Sequence, residues 1–120
     1  MDDLLLFPCT HGEDDPERAT VPFIPATTAA VSGHQAVVVC SVEAVWLGVP
    51  GVAERIEVEG LPPLADLRGQ LTEAGGEVWL CSACATKRGI AADDLVPGAT
   101  IVGAATIVEA MARGRSLALG

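Results

Sequence analysis

The sequence predicts an α/β protein in which helices cover both faces of a single five-stranded parallel sheet, a three-layer sandwich. Short apolar runs recur along the chain with helical or turn-rich segments between them, the pattern of strands buried on both faces. The clearest run, Ala36-Val37-Val38-Val39-Cys40, is filled with β-branched residues. Strands are expected over 4–9, 36–41, 78–81, 100–102 and 116–119, and five of them suit a sheet with helices on either side.

The connections follow from local punctuation. In Asp14-Asp15-Pro16-Glu17, N-cap candidates, a proline for the first helical position and an acid in the first turn start a helix. Pro22 and Pro25 make one long helix costly, so a break or restart is expected near Phe23, with the second piece running to Ser32-Gly33. A clearer helix runs from Pro62 or Pro63 to Ala74. Its Leu64, Leu67, Leu71 and Ala74 repeat at helical spacing before Gly75-Gly76. Another covers residues 104–112, with Ile107, Val108 and Met111 expected inward and Gly114 after Arg113 closing it. A fifth helix follows Cys81 and ends at Gly89. No internal repeat, low-complexity tract or linker interrupts the 120 residues, which suit one domain spanning 1–120.

Charge narrows the function. Seven Lys and Arg stand against 16 Asp and Glu, a formal net charge of −9. Such a surface repels phosphate backbones and anionic lipid, so neither nucleic-acid binding nor peripheral membrane attachment is expected. The apolar run at 4–7 is too short for a signal-peptide core and follows Asp2 and Asp3 instead of basic residues, so a cytoplasmic address is expected. The apolar stretch 99–112 is interrupted by Glu109 and falls short of the roughly 18 to 20 residues that span a bilayer, so no membrane insertion is expected. A chain of this size builds a core without disulfide staples. Cys9, Cys40, Cys81 and Cys84 are therefore read as a redox, sulfur-transfer or metal set.

Chemistry concentrates where Trp79-Leu80-Cys81-Ser82-Ala83-Cys84-Ala85-Thr86-Lys87-Arg88-Gly89 passes from strand to helix. Ligands of open parallel sheets bind beyond the carboxyl ends of the strands, and free N–H groups at a helix start favour a thiolate. Cys81 is thus a candidate nucleophile, with Ser82 beside it. Cys84, three residues on, is either a resolving or relay thiol or a small packed side chain. Arg88 shares their helix face, where its cation would favour charged sulfur; alternatively Lys87-Arg88 is a solvated helix end. Cys9 and Cys40 also fall at carboxyl ends of strands. Together with Cys81 they line a common crevice if the strands are neighbours, with His11 and the acids Glu13, Asp14 and Asp15 at its rim, or they are buried small hydrophobes. Trp46 and Trp79, the largest apolar side chains, are core or interface anchors.

Two other readings fit the same cysteines. A thioredoxin-like dithiol oxidoreductase uses Cys-x-x-Cys at a helix start, although that motif ordinarily follows an early strand, whereas here it comes two thirds along the chain. A soft-metal module would gather Cys9, Cys40, Cys81, Cys84 and His11, although a second Cys-x-x-Cys is missing. Neither a metal nor another cofactor is expected.

Over nearly its full length the sequence also resembles the DsrE/DsrF-like sulfur-relay family. The resemblance is carried by Gly12-Glu13-Asp14-Asp15-Pro16-Glu17-Arg18-Ala19, by Gly33-His34-Gln35 before the second strand, and by Gly60-Leu61-Pro62 before the long helix. It continues through Gly75-Gly76 before Val78-Trp79-Leu80-Cys81, then Arg88-Gly89-Ile90, Asp94-Leu95 and Gly98-Ala99-Thr100-Ile101-Val102-Gly103. The ordered combination is the specific signal. It implies strand order 4-3-2-1-5 and assembly into trimers or hexamers. It further implies that Cys81, whose spacing to the glycine of Arg88-Gly89 matches, receives sulfane sulfur as a persulfide from a donor protein or small persulfide and hands it to an acceptor. Cys84 does not match by that count. Pro22 and Pro25, which interrupt the usual first helix, are a departure from the family pattern.

Overall fold

The computed structural model describes residues 3–119. Strands β1 (Leu4–Cys9), β2 (Gln35–Cys40), β3 (Glu77–Cys81), β4 (Ala99–Val102) and β5 (Arg115–Ser116) form one sheet in the order β4-β3-β2-β1-β5. Every pairing is parallel. The helices are α1 (Pro16–Thr20), α2 (Phe23–Val31), α3 (Leu64–Glu73), α4 (Ser82–Lys87) and α5 (Ala104–Arg113). The α/β class, the five parallel strands and their order agree with expectation.

Local chemistry accounts for the first helical layer. Asp15 caps α1 by accepting from the Arg18 N–H at 3.2 Å, with Pro16 in the first turn. The chain breaks at Val21-Pro22 and restarts as α2; Pro25 falls within the first turn of α2, where its missing N–H removes no helical bond. Along α3, Leu64, Leu67 and Leu71 are buried as the spacing requires, whereas Ala74 caps the helix and is exposed. Arg68 on the same helix is also buried, donating to the Leu47 carbonyl and to Glu54 and so tying α3 to the loop after β2.

The two faces of the sheet are unequal. On one, Phe7, Cys9, Ala36, Val38, Cys40, Val78 and Leu80 pack against α1, α2, α3 and Ala85 of α4 in the main core. On the other, Leu4, Leu6 and Val37 meet Ala110 of α5, with Val39 and Trp79 only partly covered. Here an expectation fails. Of the residues placed inward on α5, Ile107 is half-buried while Val108 and Met111 are 63% and 56% exposed. The helix meets the sheet through Ala110, its one buried residue.

The last strand is also shorter and earlier than the expected 116–119. Leu5 and Leu6 pair with Arg115 and Ser116, and the Leu117 N–H reaches the Leu6 carbonyl at 3.0 Å. The next bond of a parallel ladder would need a donor from residue 8 of β1. That residue is Pro8, which has no N–H, so the pairing stops. The 3₁₀ segments Val42–Gly48, Ala53–Arg55 and Ala92–Asp94 carry no periodic signal in the sequence. No helix among the described residues is long and apolar enough to cross a membrane.

Candidate functional site

Cys81 closes β3 and is the N-cap of α4. The next strand out pairs it with Val102. Side chains alternate across a strand, and Leu80 is in the main core, so Cys81 leaves the sheet on the opposite face, the thinly covered one. It is half-buried. The backbone N–H of Cys84 draws its thiol below the ordinary value; the Cys84 thiol and the Ala83 N–H act in the same sense, against desolvation. These groups approach the sulfur without forming a side-chain cap bond of full geometry. The cause is local: extended backbone at Cys81 (φ −59°, ψ 124°) turning directly into helix leaves the first N–H groups of α4 facing its side chain.

Cys84 lies one helical turn on, half-buried against the main core. Ser82 is the first residue of α4 and is also half-buried. Arg88 caps the helix end. Its guanidinium donates to the Cys84 carbonyl at 3.2 Å and to Glu43 at 2.8 Å. It therefore reaches the thiol pair through the backbone of Cys84, with its charge met by Glu43, and of the expected basic pair only Lys87 stays exposed.

Glu43 was not legible as a neighbour of this candidate site. It follows Val42, a β-branched residue at φ 54°, a left-handed conformation that costs about 1–3 kcal/mol and persists only where surroundings impose it. Ala44 and Val45 are buried beyond it, and a Cβ on Gly12 would come within 2.7 Å of the Glu43 carbonyl. The loop after β1 and the loop after β2 thus interlock at glycine, and the strained turn aims Glu43 at α4. The one sequence signal was the glycine at position 12.

Cys9 and Cys40 do share the carboxyl edge with Cys81, yet they do not share a crevice with it. They are in-register partners on β1 and β2, both buried, on the main-core face. The sheet separates them from Cys81, whereas Cys84 packs at the border of the same core. Cys9 donates toward the carbonyls of His11 and Ala19 at 3.5 and 3.6 Å. His11 Nδ1 meets Asp14 at 3.0 Å, Asp14 accepts from the Gly12 N–H at 2.7 Å, and Glu13 takes two bonds from Arg55 at 2.9 Å. The rim acids are thus engaged in holding loops together. Among the described residues no group of three or more His, Cys, Asp or Glu is disposed to hold a metal ion. The soft-metal arrangement meets the same obstacle as the common crevice, because Cys81 leaves the sheet on the face opposite Cys9 and Cys40.

Beside α4 a cleft of about 420 Å³ is lined by Trp46, Val49, Gly89, Ile90, Asp94 and Leu95. Trp46 also borders a 270 Å³ cleft with Glu13, Glu43 and Arg55. Trp46 is thus at the carboxyl edge, and Trp79 is on the thinly covered face, where its Nε1 donates to Glu77 at 3.1 Å.

A family model, the DsrE/DsrF-like family, matches residues 3–117. Solved structures with the same fold include the ychN protein from E. coli, 19% identical, with TM-score 0.80 over 99% of this chain and 100% of that one. They also include MTH1491, a protein of unknown function from Methanobacterium thermoautotrophicum, 20% identical, with TM-score 0.73 over 98% of this chain and 100% of that one. At these identities the likeness is one of fold. No curated protein matches the sequence.

Proposed function

The chain belongs to the DsrE/DsrF-like family, of sulfur-relay type, and from that premise we propose that it carries sulfane sulfur as a persulfide on Cys81. The observation that carries this reading is a half-exposed thiol at the carboxyl edge of the sheet whose charged form is favoured by the N–H groups of its own helix. The Cys81 thiolate attacks the outer sulfur of a donor persulfide, forming Cys81–S–SH and releasing the donor thiol. An acceptor thiol then takes the outer sulfur, returning Cys81 to its starting form. Alternatively Cys84 attacks the inner sulfur, leaving a Cys81–Cys84 disulfide and releasing hydrogen sulfide. The proximity of the two thiols keeps the second route, and with it a dithiol oxidoreductase reading, in play.

The partners are proteins or small molecules bearing persulfides, and the chemistry requires the reduced thiols that the cytoplasm maintains. Val108 and Met111 are exposed on α5, and Trp79 is only partly covered on the sheet face that α5 crosses; these apolar side chains suit a second copy of the chain and support a homo-oligomer. Parallel persulfide trapping on the wild type, Cys81→Ser and Cys84→Ser tests the relay. A one-sulfur adduct in the wild type and in Cys84→Ser, lost in Cys81→Ser, is expected; an adduct that ignores Cys81 overturns it.

A further inference from the structure

Cys9 and Cys40 take no part in the relay above, yet they stand opposite one another in register. They are Cα partners at the carboxyl ends of adjacent parallel strands, with side chains on one face. Neighbouring strands lie about 4.8 Å apart, inside the span of about 4.4–6.8 Å that a disulfide bridges between Cα atoms. Both are free thiols. Cys40 is fully buried, whereas Cys9 lines a small cleft of about 80 Å³ together with His11, Arg18, Pro22 and Leu119. A cleft of that volume holds a molecule of a few atoms and is too small for a tripeptide.

We propose that Cys9 and Cys40 are a second dithiol centre, separated from Cys81 by the sheet, which small inorganic polysulfide oxidises to an internal disulfide. The choice of oxidant rests on the relay reading; the geometry of the pair does not. Cys9, facing the cleft, attacks a sulfane sulfur, the S–S bond breaks, and hydrosulfide leaves. Cys40 then attacks the inner sulfur of Cys9–S–SH and passes its proton to the departing hydrosulfide. For hydrogen disulfide, two thiols and HS–SH give one disulfide and two hydrogen sulfides, the two electrons passing from the protein to sulfur. The division of roles has electrostatic support. The Cys40 thiol holds that of Cys9 below its ordinary value, while Cys40 itself is pushed up by that bond to Cys9 and by burial.

The test uses the full chain, reduced, exposed to sodium polysulfide, alkylated in denaturant and digested without reduction. The expected result is loss of both free thiols and a disulfide-linked pair of peptides containing Cys9 and Cys40. The same link is expected in Cys81→Ser/Cys84→Ser, and little of it with glutathione disulfide as the oxidant. Recovery of Cys9 and Cys40 as alkylated thiols from the treated wild type overturns the proposal, as does a link that vanishes in the double variant or forms equally with glutathione disulfide. If the link forms while Cys81 acquires no sulfur in Cys84→Ser, where no resolving thiol can remove it, the second centre stands and the relay falls.

Discussion

At Cys81 the largest influence on the thiol is a backbone group, the Cys84 N–H, and that can be separated from the Cys84 side chain. Cys84→Ala keeps the N–H and loses only the thiol; Cys84→Pro removes both, at a first-turn position where proline is tolerated. The pH midpoint of Cys81 alkylation is expected below that of an ordinary thiol in the wild type, slightly higher in Cys84→Ala and higher again in Cys84→Pro. Equal midpoints in the two variants would assign the effect to the side chain. Asp14 offers a stability test. The Gly12 N–H, then His11, lower its pKa, so its contribution is complete above the unfolded carboxylate value and is lost as pH falls through the folded one. Because the side chain is 44% exposed, Asp14→Ala is expected to cost only about 0.5–1 kcal/mol in neutral denaturation, a difference that shrinks in acid. Cys81 was legible because everything that favours its charged form is local: an apolar run, a turn into helix and a thiol at the join. Glu43 was not, since its partner Arg88 lies 45 residues away and nothing near Glu43 announces it.

Helix α4 is only six residues long, and its placement depends on its neighbours. Ala85 inserts into the core, while Arg88 ties the helix end to the strained loop after β2. Glu43→Gln leaves the Arg88–Cys84 carbonyl bond but removes the charge pair, a loss of about 1 kcal/mol for a pair of this partial exposure. The expected consequence is faster alkylation of Cys84 with the global melting temperature nearly unchanged; an unchanged rate would show that Ala85 alone seats the helix. By contrast α3 is held by its leucines, and Leu71→Ala is expected to cost about 2–5 kcal/mol in chemical denaturation. The identity of these helices was readable from spacing and caps. The face of α5 was not. An apolar stripe says that something covers it, but here the sheet takes Ala110, and Val108 and Met111 are left outside. The bounds of β5 were equally hidden, being set by Pro8 on another strand.

Across the whole molecule the two sheet faces are unequally covered. The thick side buries Cys9 and Cys40; the thin side leaves Cys81 near solvent and Trp79 half covered. Val108→Asp/Met111→Asp is expected to fold, since both side chains are exposed, and to shift the mass measured by light scattering toward a single chain. An unchanged mass would remove α5 from the interface. The class, the strands apart from the bounds of β5, and the strand-to-helix thiol were written in short-range patterns of hydrophobicity, β-branching and turn residues. The strand order was implied by family resemblance rather than by pattern. Which thiols face each other was decided by register: Cys9 opposite Cys40, and Cys81 one residue past Leu80 on the far side of the sheet. A shift of one residue reverses a side chain's face, and that register is set by packing between segments distant in sequence.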